Sequence, residues 1–164
     1  MKHSKLLLST VLLSSLLYAS EDVPTQEEIS KLYVATFNRA ADSEGLTYWV
    51  NAKMKLSEIA QSFFDQEETQ LLYPSTTSNT DFINSVYQNL FNRDADEAGL
   101  AYWKSELDAG FISKDRFIQA VINGALDSGV SNDSSILTNK NEVAMHFVNA
   151  GLDNTDEARR VIEG

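Results

Sequence analysis

Asp94, Asp96 and Glu97 place three carboxylates within four positions, just ahead of Gly99. Clustered oxygen donors suit a hard divalent cation, and calcium is the ion this spacing would attract. The count falls short of a calcium-binding helix–loop–helix. A loop opening at Asp94 needs an oxygen ligand where Ala98 stands and a bidentate glutamate where Ser105 stands. The matching stretch nearer the N-terminus has Ala40 in place of Asp94 and is poorer still. No resident cofactor is expected. Asp42 and Asp96 are better read as helix N-caps, whose carboxylates accept from backbone N–H groups.

Other catalytic chemistry is thinly represented. The chain has no cysteine, which removes thiolate nucleophiles, thiolate metal sites and disulfides. It contains no HExxH helix, phosphate-binding loop, nucleophile elbow or dinucleotide fingerprint. His146 is the one histidine beyond the first twenty residues. With Val143 and Phe147 beside it, it is expected to be a hydrogen-bonded structural residue. Carboxylate pairs able to hydrolyse glycosides carry no weight where 24 acids are present. The expectation is a protein that is not an enzyme.

Aromatic residues offer binding chemistry instead. Tyr48-Trp49 and Tyr102-Trp103 are neighbours on a helical pattern, so the two rings of each pair point about 100° apart. Trp49 and Trp103 follow Leu46 and Leu100 by three positions and are assigned to the core, packed on Tyr33 and Tyr87. Tyr48 and Tyr102 are then free to face outward, and with Asp94 and Glu97 they form the candidate binding set. Arg39 and Arg93 each precede an acidic turn. They are expected to be structural clamps, paired with Asp42, Asp96 or a carboxylate of the other repeat.

The elements that position these groups come from a duplication. Asn38-Arg39-x-x-Asp42-x-x-Gly45-Leu46-x-Tyr48-Trp49 returns 54 residues later as Asn92-Arg93-x-x-Asp96-x-x-Gly99-Leu100-x-Tyr102-Trp103. Upstream, Ile29, Leu32, Tyr33 and Phe37 map onto Ile83, Val86, Tyr87 and Phe91 at a 3.6-residue period, which marks one face of a helix. Thr25 with Glu28 forms a capping box for the first helix, and Asn79 or Thr80 is expected to cap its counterpart. Ser57 and Ser113 are expected to cap a third helix in each unit. Gly110 stops the helix before Ser113, and Lys53–Lys55 takes that place in the first unit. The fold class is therefore all-α. It is a compact bundle of about eight short helices built on a duplicated helix–acidic turn–helix–helix unit. The first copy covers about residues 25–73, the second about 79–128 and a helical tail about 135–164. Ser131–Ser135 reads as a polar turn before that tail.

Residues 1–20 have the pattern of a secretory signal: a basic head at Lys2 and Lys5, an apolar stretch from Leu6 to Leu17, and small residues at Ala19 and Ser20. Removing it takes two lysines and no acid, which moves the formal charge from −11 to −13. So acidic a chain disfavours nucleic acid and anionic lipid as partners. No second apolar run follows, so the processed protein is not expected to span a membrane.

The residues that repeat also carry a family likeness. Phe37-Asn38-Arg39, Asp42-x-x-Gly45-Leu46-x-Tyr48-Trp49, the stretch from Phe82 to Trp103 and Leu107-x-x-Gly110 resemble DUF4214 of bacterial proteins. Leu137-Thr138-Asn139-Lys140-x-Glu142-Val143 resembles sequence that commonly follows that module. The likeness implies a helical module of undefined function, frequent in exported and surface-layer-associated proteins and in large adhesin-like polypeptides. A related helical pattern resembles phycobilisome linker domains. Ala41 and Ala95 stand where the family often has proline. The expected role is a secreted structural or protein-interaction module, extracellular, at the cell surface or periplasmic. The alternative is a glycan-binding protein with optional calcium dependence. The partner is accordingly a protein or a surface glycan.

Overall fold

Threonine, serine and aspartate side chains start most of the helices. The computed structural model describes residues 23–163, so the segment read as a secretory signal lies outside the described residues. The described residues contain nine α-helices and no strand. They are α1 (Gln26–Phe37), α2 (Ser43–Ala52), α3 (Leu56–Phe64), α4 (Glu67–Leu72), α5 (Asn79–Phe91), α6 (Glu97–Asp108), α7 (Lys114–Asp127), α8 (Asn132–Asn149) and α9 (Thr155–Glu163).

The Thr25–Glu28 capping box is present, with the Thr25 N–H donating to Glu28 Oε2 at 2.7 Å. Asp42 and Asp96 cap α2 and α6, accepting from Gly45 N at 2.6 Å and Gly99 N at 2.8 Å. Other caps differ from expectation. Ser78 rather than Asn79 or Thr80 caps α5, because its hydroxyl accepts from Asp81 N at 3.1 Å. Lys55 rather than Ser57 precedes α3, where Glu58 reaches back to the Lys55 N–H at 2.8 Å. Ser113 does precede α7, but without a side-chain cap bond. Ser131 is not part of a turn segment: it caps α8, which begins at once at Asn132.

Asn38 and Asn92 end α1 and α5 in the left-handed region, at φ 51° and 56°. Asparagine tolerates that conformation better than most residues. Gly110, at φ 69°, follows the end of α6 and turns the chain toward α7.

Helix α1 is buried along nearly its whole length, from Ile29 to Phe37, with only Lys31 half-exposed in that span. It packs against α2, α3, α4, α5, α7 and α8. Helices at matching places in the two repeats also pack on each other, α1 on α5 and α3 on α7. One apolar cluster therefore joins Leu32, Phe37 and Phe63 to Phe82, Leu90 and Phe117. A smaller cluster of Val34, Ala40, Ala144, Phe147, Ala158 and Ile162 seats the tail against α1. There the Ala40 N–H donates to the Ala158 carbonyl at 3.0 Å. Among the described residues no helix is long and apolar enough to cross a membrane.

Candidate functional site

The acidic turns hold a repeated polar–aromatic unit. In the first, Trp49 Nε1 donates to the Tyr33 hydroxyl at 3.1 Å; in the second, Trp103 Nε1 donates to the Tyr87 hydroxyl at 3.2 Å. The guanidinium of Arg39 lies 5.2 Å from the Tyr33 ring centroid, and that of Arg93 lies 5.4 Å from the Tyr87 ring. Both arginines donate through Nη1 to the next residue's carbonyl, Ala40 or Asp94, at 2.9 Å. A cation over an aromatic face is attracted by the ring quadrupole, more strongly where water is excluded.

Arg39 forms the expected ion pair with Asp42, but the bidentate partners of both clamps differ from the sequence expectation. Arg39 grips Glu68 of α4 with two bonds, Nε at 2.8 Å and Nη2 at 2.7 Å, while Asp42 stands 3.6 Å away. Arg93 grips Asp133 of α8 in the same manner, at 3.0 and 2.6 Å, rather than Asp96. Asp42 and Asp96 are turned toward backbone N–H groups as caps, which leaves the fork of each arginine for a carboxylate from a later helix. Burial works against the charge of Arg39, but its bonds to Glu68 outweigh that and raise its pKa above the ordinary value. Burial raises the Tyr33 hydroxyl to about 12.

The two units are unequally covered. Trp49 is buried against Phe63 at a centroid separation of 5.4 Å. Trp103 is only half-buried, touching Phe117 at 5.2 Å, so its assignment to the core holds in part. Helix α6 buries no residue fully, because its principal neighbour is α5 alone, whereas α2 lies against both α1 and α8.

Tyr48 and Tyr102 face outward, 64% and 57% exposed. Each ring stands edge-on to its neighbouring indole, at centroid separations of 4.9 and 4.8 Å. Around Tyr48 runs an open groove of about 560 Å³ along α2, lined also by Ser43, Glu44, Thr47 and Asn51. The equivalent positions beside Tyr102 include Ala98, Ala101 and Ser105, so its surroundings are less polar.

Asp94, Asp96 and Glu97 are all exposed but are not assembled as ligands. Asp94 Oδ1 accepts from Gln88 Nε2 at 2.8 Å, and Asp96 is held by its cap. Among the described residues no three histidine, cysteine, aspartate or glutamate side chains are grouped to hold a metal ion. His146 is exposed and its ring has no hydrogen bond to another described residue, unlike the hydrogen-bonded structural residue expected, because the buried face of α8 is Leu137, Lys140, Asn141, Ala144 and Phe147. It lies at an open cleft between α1 and α8 that sequence reasoning missed. The juxtaposition of α1 with a helix more than a hundred residues later left no local signal.

Residues 60–129 match DUF4214, a domain of unknown function. The match runs from within α3 to just beyond α7, and so takes in the whole Arg93–Asp96–Trp103 unit. No curated protein and no solved structure shows significant similarity to the chain.

Proposed function

We propose that the protein is an exported, non-enzymatic interaction module that binds a cell-envelope partner through Tyr48 and Tyr102. The observation that carries this reading is the pair of exposed tyrosines at repeat-equivalent positions, each set edge-on to an indole that is itself hydrogen-bonded. A ring whose neighbours restrict it loses less entropy on binding, and tyrosine is enriched among residues that dominate interface energies. Two such rings on one body give a bivalent surface whose second contact forms intramolecularly. Asp94 and Glu97 are exposed at the start of the same repeat corner and favour a partner with basic or amide-rich groups. The signal-like sequence of residues 1–20 supports export, and the repeat supports extending the DUF4214 likeness upstream to about residue 26.

A second reading, glycan binding, is favoured by the groove around Tyr48. Ser43, Glu44, Thr47 and Asn51 set hydroxyl, carboxylate and amide groups around an exposed ring, which suits a sugar stacked on its face. The deciding experiment places a photo-crosslinking phenylalanine analogue at position 48 or 102 and exposes the protein to cell-envelope fractions, alongside a glycan array. Protein adducts at both positions support the interaction module. Array binding lost in Tyr48→Ser supports the glycan reading. Neither adducts nor array binding would contradict both.

A further inference from the structure

We propose that the cleft between α1 and α8 binds a small zwitterion through its ammonium and carboxylate groups, as presented by a free amino acid or a short peptide. The cleft is separate from the tyrosine surface. It holds about 420 Å³, within the range of about 300–1,000 Å³ typical of small-molecule sites. Helix α8 lines it with Asn141, Glu142, Met145 and His146, and α1 contributes Glu27 and Lys31.

Asn141 is the decisive residue. It is only 6% exposed, yet its side-chain oxygen is enclosed with no hydrogen-bond partner. Buried amides are normally paired, so this residue of the cleft wall holds unused hydrogen-bonding capacity, although its oxygen is shut off from the cleft as the side chain stands. Its amide supplies both a donor and an acceptor once the side chain rotates toward a bound molecule.

The charged groups around it are equally uncommitted. Glu27, Lys31 and Glu142 make no side-chain hydrogen bond or ion pair with another described residue. Lys31 lines the cleft, and its ammonium offers an attraction for a carboxylate there. Glu27 and Glu142 offer the reverse for an ammonium group. One cation and two carboxylates about one space fit a ligand carrying both signs better than a simple anion or a neutral sugar. Half-buried Met145 gives an apolar wall for a side chain such as that of leucine.

The test is thermal unfolding of the protein with leucine, Leu-Leu, N-acetylleucine and leucinamide at millimolar concentration. The expected result is a rise in melting temperature of about 3 °C or more with leucine or Leu-Leu. Leucine alone identifies a free amino acid as the ligand, and Leu-Leu alone a peptide. The two blocked compounds, each lacking one charge, should give no rise. Asn141→Leu and Lys31→Met should each abolish the rise while keeping the helical circular dichroism. Lys31→Met changes a half-buried side chain of the cleft wall to an apolar one of similar length and keeps the test available should Asn141→Leu fold poorly. No rise with either zwitterion, an equal rise with the blocked compounds, or a rise surviving in Lys31→Met would overturn the site.

Discussion

The indole nitrogen of Trp49 donates to the hydroxyl of Tyr33 at 3.1 Å. The bond ties the middle of α2 to the middle of α1 and closes the corner that Asp42 opens. Its counterpart between Trp103 and Tyr87, at 3.2 Å, closes the second corner. The repeat thus extends from sequence to individual hydrogen bonds. The two copies differ in how much protein covers the bond.

That difference sets the first expectation. Tyr33→Phe leaves a buried indole N–H without an acceptor and should lower stability by about 1–2 kcal/mol. Tyr87→Phe leaves a half-buried indole that water can reach, so its effect should be smaller. Urea denaturation of both variants checks the order; equal losses would count against unequal burial.

Alkaline pH should weaken the fold. Burial raises Tyr33 to about 12, and burial likewise raises Tyr73 to about 12, where its hydroxyl donates to the Thr36 carbonyl at 2.9 Å. Both folded-state values exceed the ordinary tyrosine value of 10. Each group's contribution is therefore whole below pH 10 and is lost as pH rises toward 12. Melting temperatures measured from pH 9 to 12 should fall through that window, and less steeply in Tyr33→Phe relative to its own value at pH 9.

The arginine clamps should also differ. The Arg39 side chain is 8% exposed, and its loss leaves partly buried Glu68 with only the longer 3.9 Å pair to Arg159. Arg39→Ala should cost about 3 kcal/mol. The Arg93 side chain is 39% exposed, and Arg93→Ala should cost about 1 kcal/mol. High salt should narrow only the second loss, since exposed pairs are the ones that ions screen. An unchanged melting temperature for Arg39→Ala would contradict the clamp.

Gly45 and Gly99 occupy equivalent places but tolerate a methyl group differently. A Cβ at Gly45 would meet the Tyr33 hydroxyl at 2.7 Å and Asp42 Oδ1 at 2.8 Å. At Gly99 the nearest atom is Asp96 Oδ1, at 3.3 Å, and the Tyr87 hydroxyl is 3.6 Å away. Gly45→Ala should destabilise by about 1–3 kcal/mol through overpacking. Gly99→Ala should be near neutral, because the gain in helix propensity of about 1 kcal/mol offsets a small shift of the carboxylate. Thermal unfolding of the two variants measures the contrast.

The duplication, the capped corners and the apolar face of α1 were legible because each is written in residues close together in the chain. Helix α4 was not. Its Glu67-Glu68-Thr69-Gln70 opening lacks apolar periodicity, and it is held by the Thr69 hydroxyl bonding the Phe63 carbonyl and by Arg39 on Glu68. The Arg39–Asp42 pair was legible, but the bidentate partners of Arg39 and Arg93 were missed because they lie 29 and 40 residues away, beyond any local spacing rule. Tyr48 and Tyr102 were placed outward from the angle between adjacent helical side chains, which is a local property. The half-burial of Trp103 was missed because it depends on which helix covers α6. Asn141 looked unexceptional because nothing in its neighbours tells that α1 lies alongside.

The measurement that bears most directly on the interaction role is co-sedimentation of the protein with envelope fragments, comparing wild type with Tyr48→Ser/Tyr102→Ser. Both rings are exposed, so the double variant should keep its unfolding free energy to within about 0.5 kcal/mol. The wild type should pellet with the fragments and the double variant should stay in solution. Equal pelleting by a folded double variant, or no pelleting by the wild type, would contradict the role assigned to these two tyrosines.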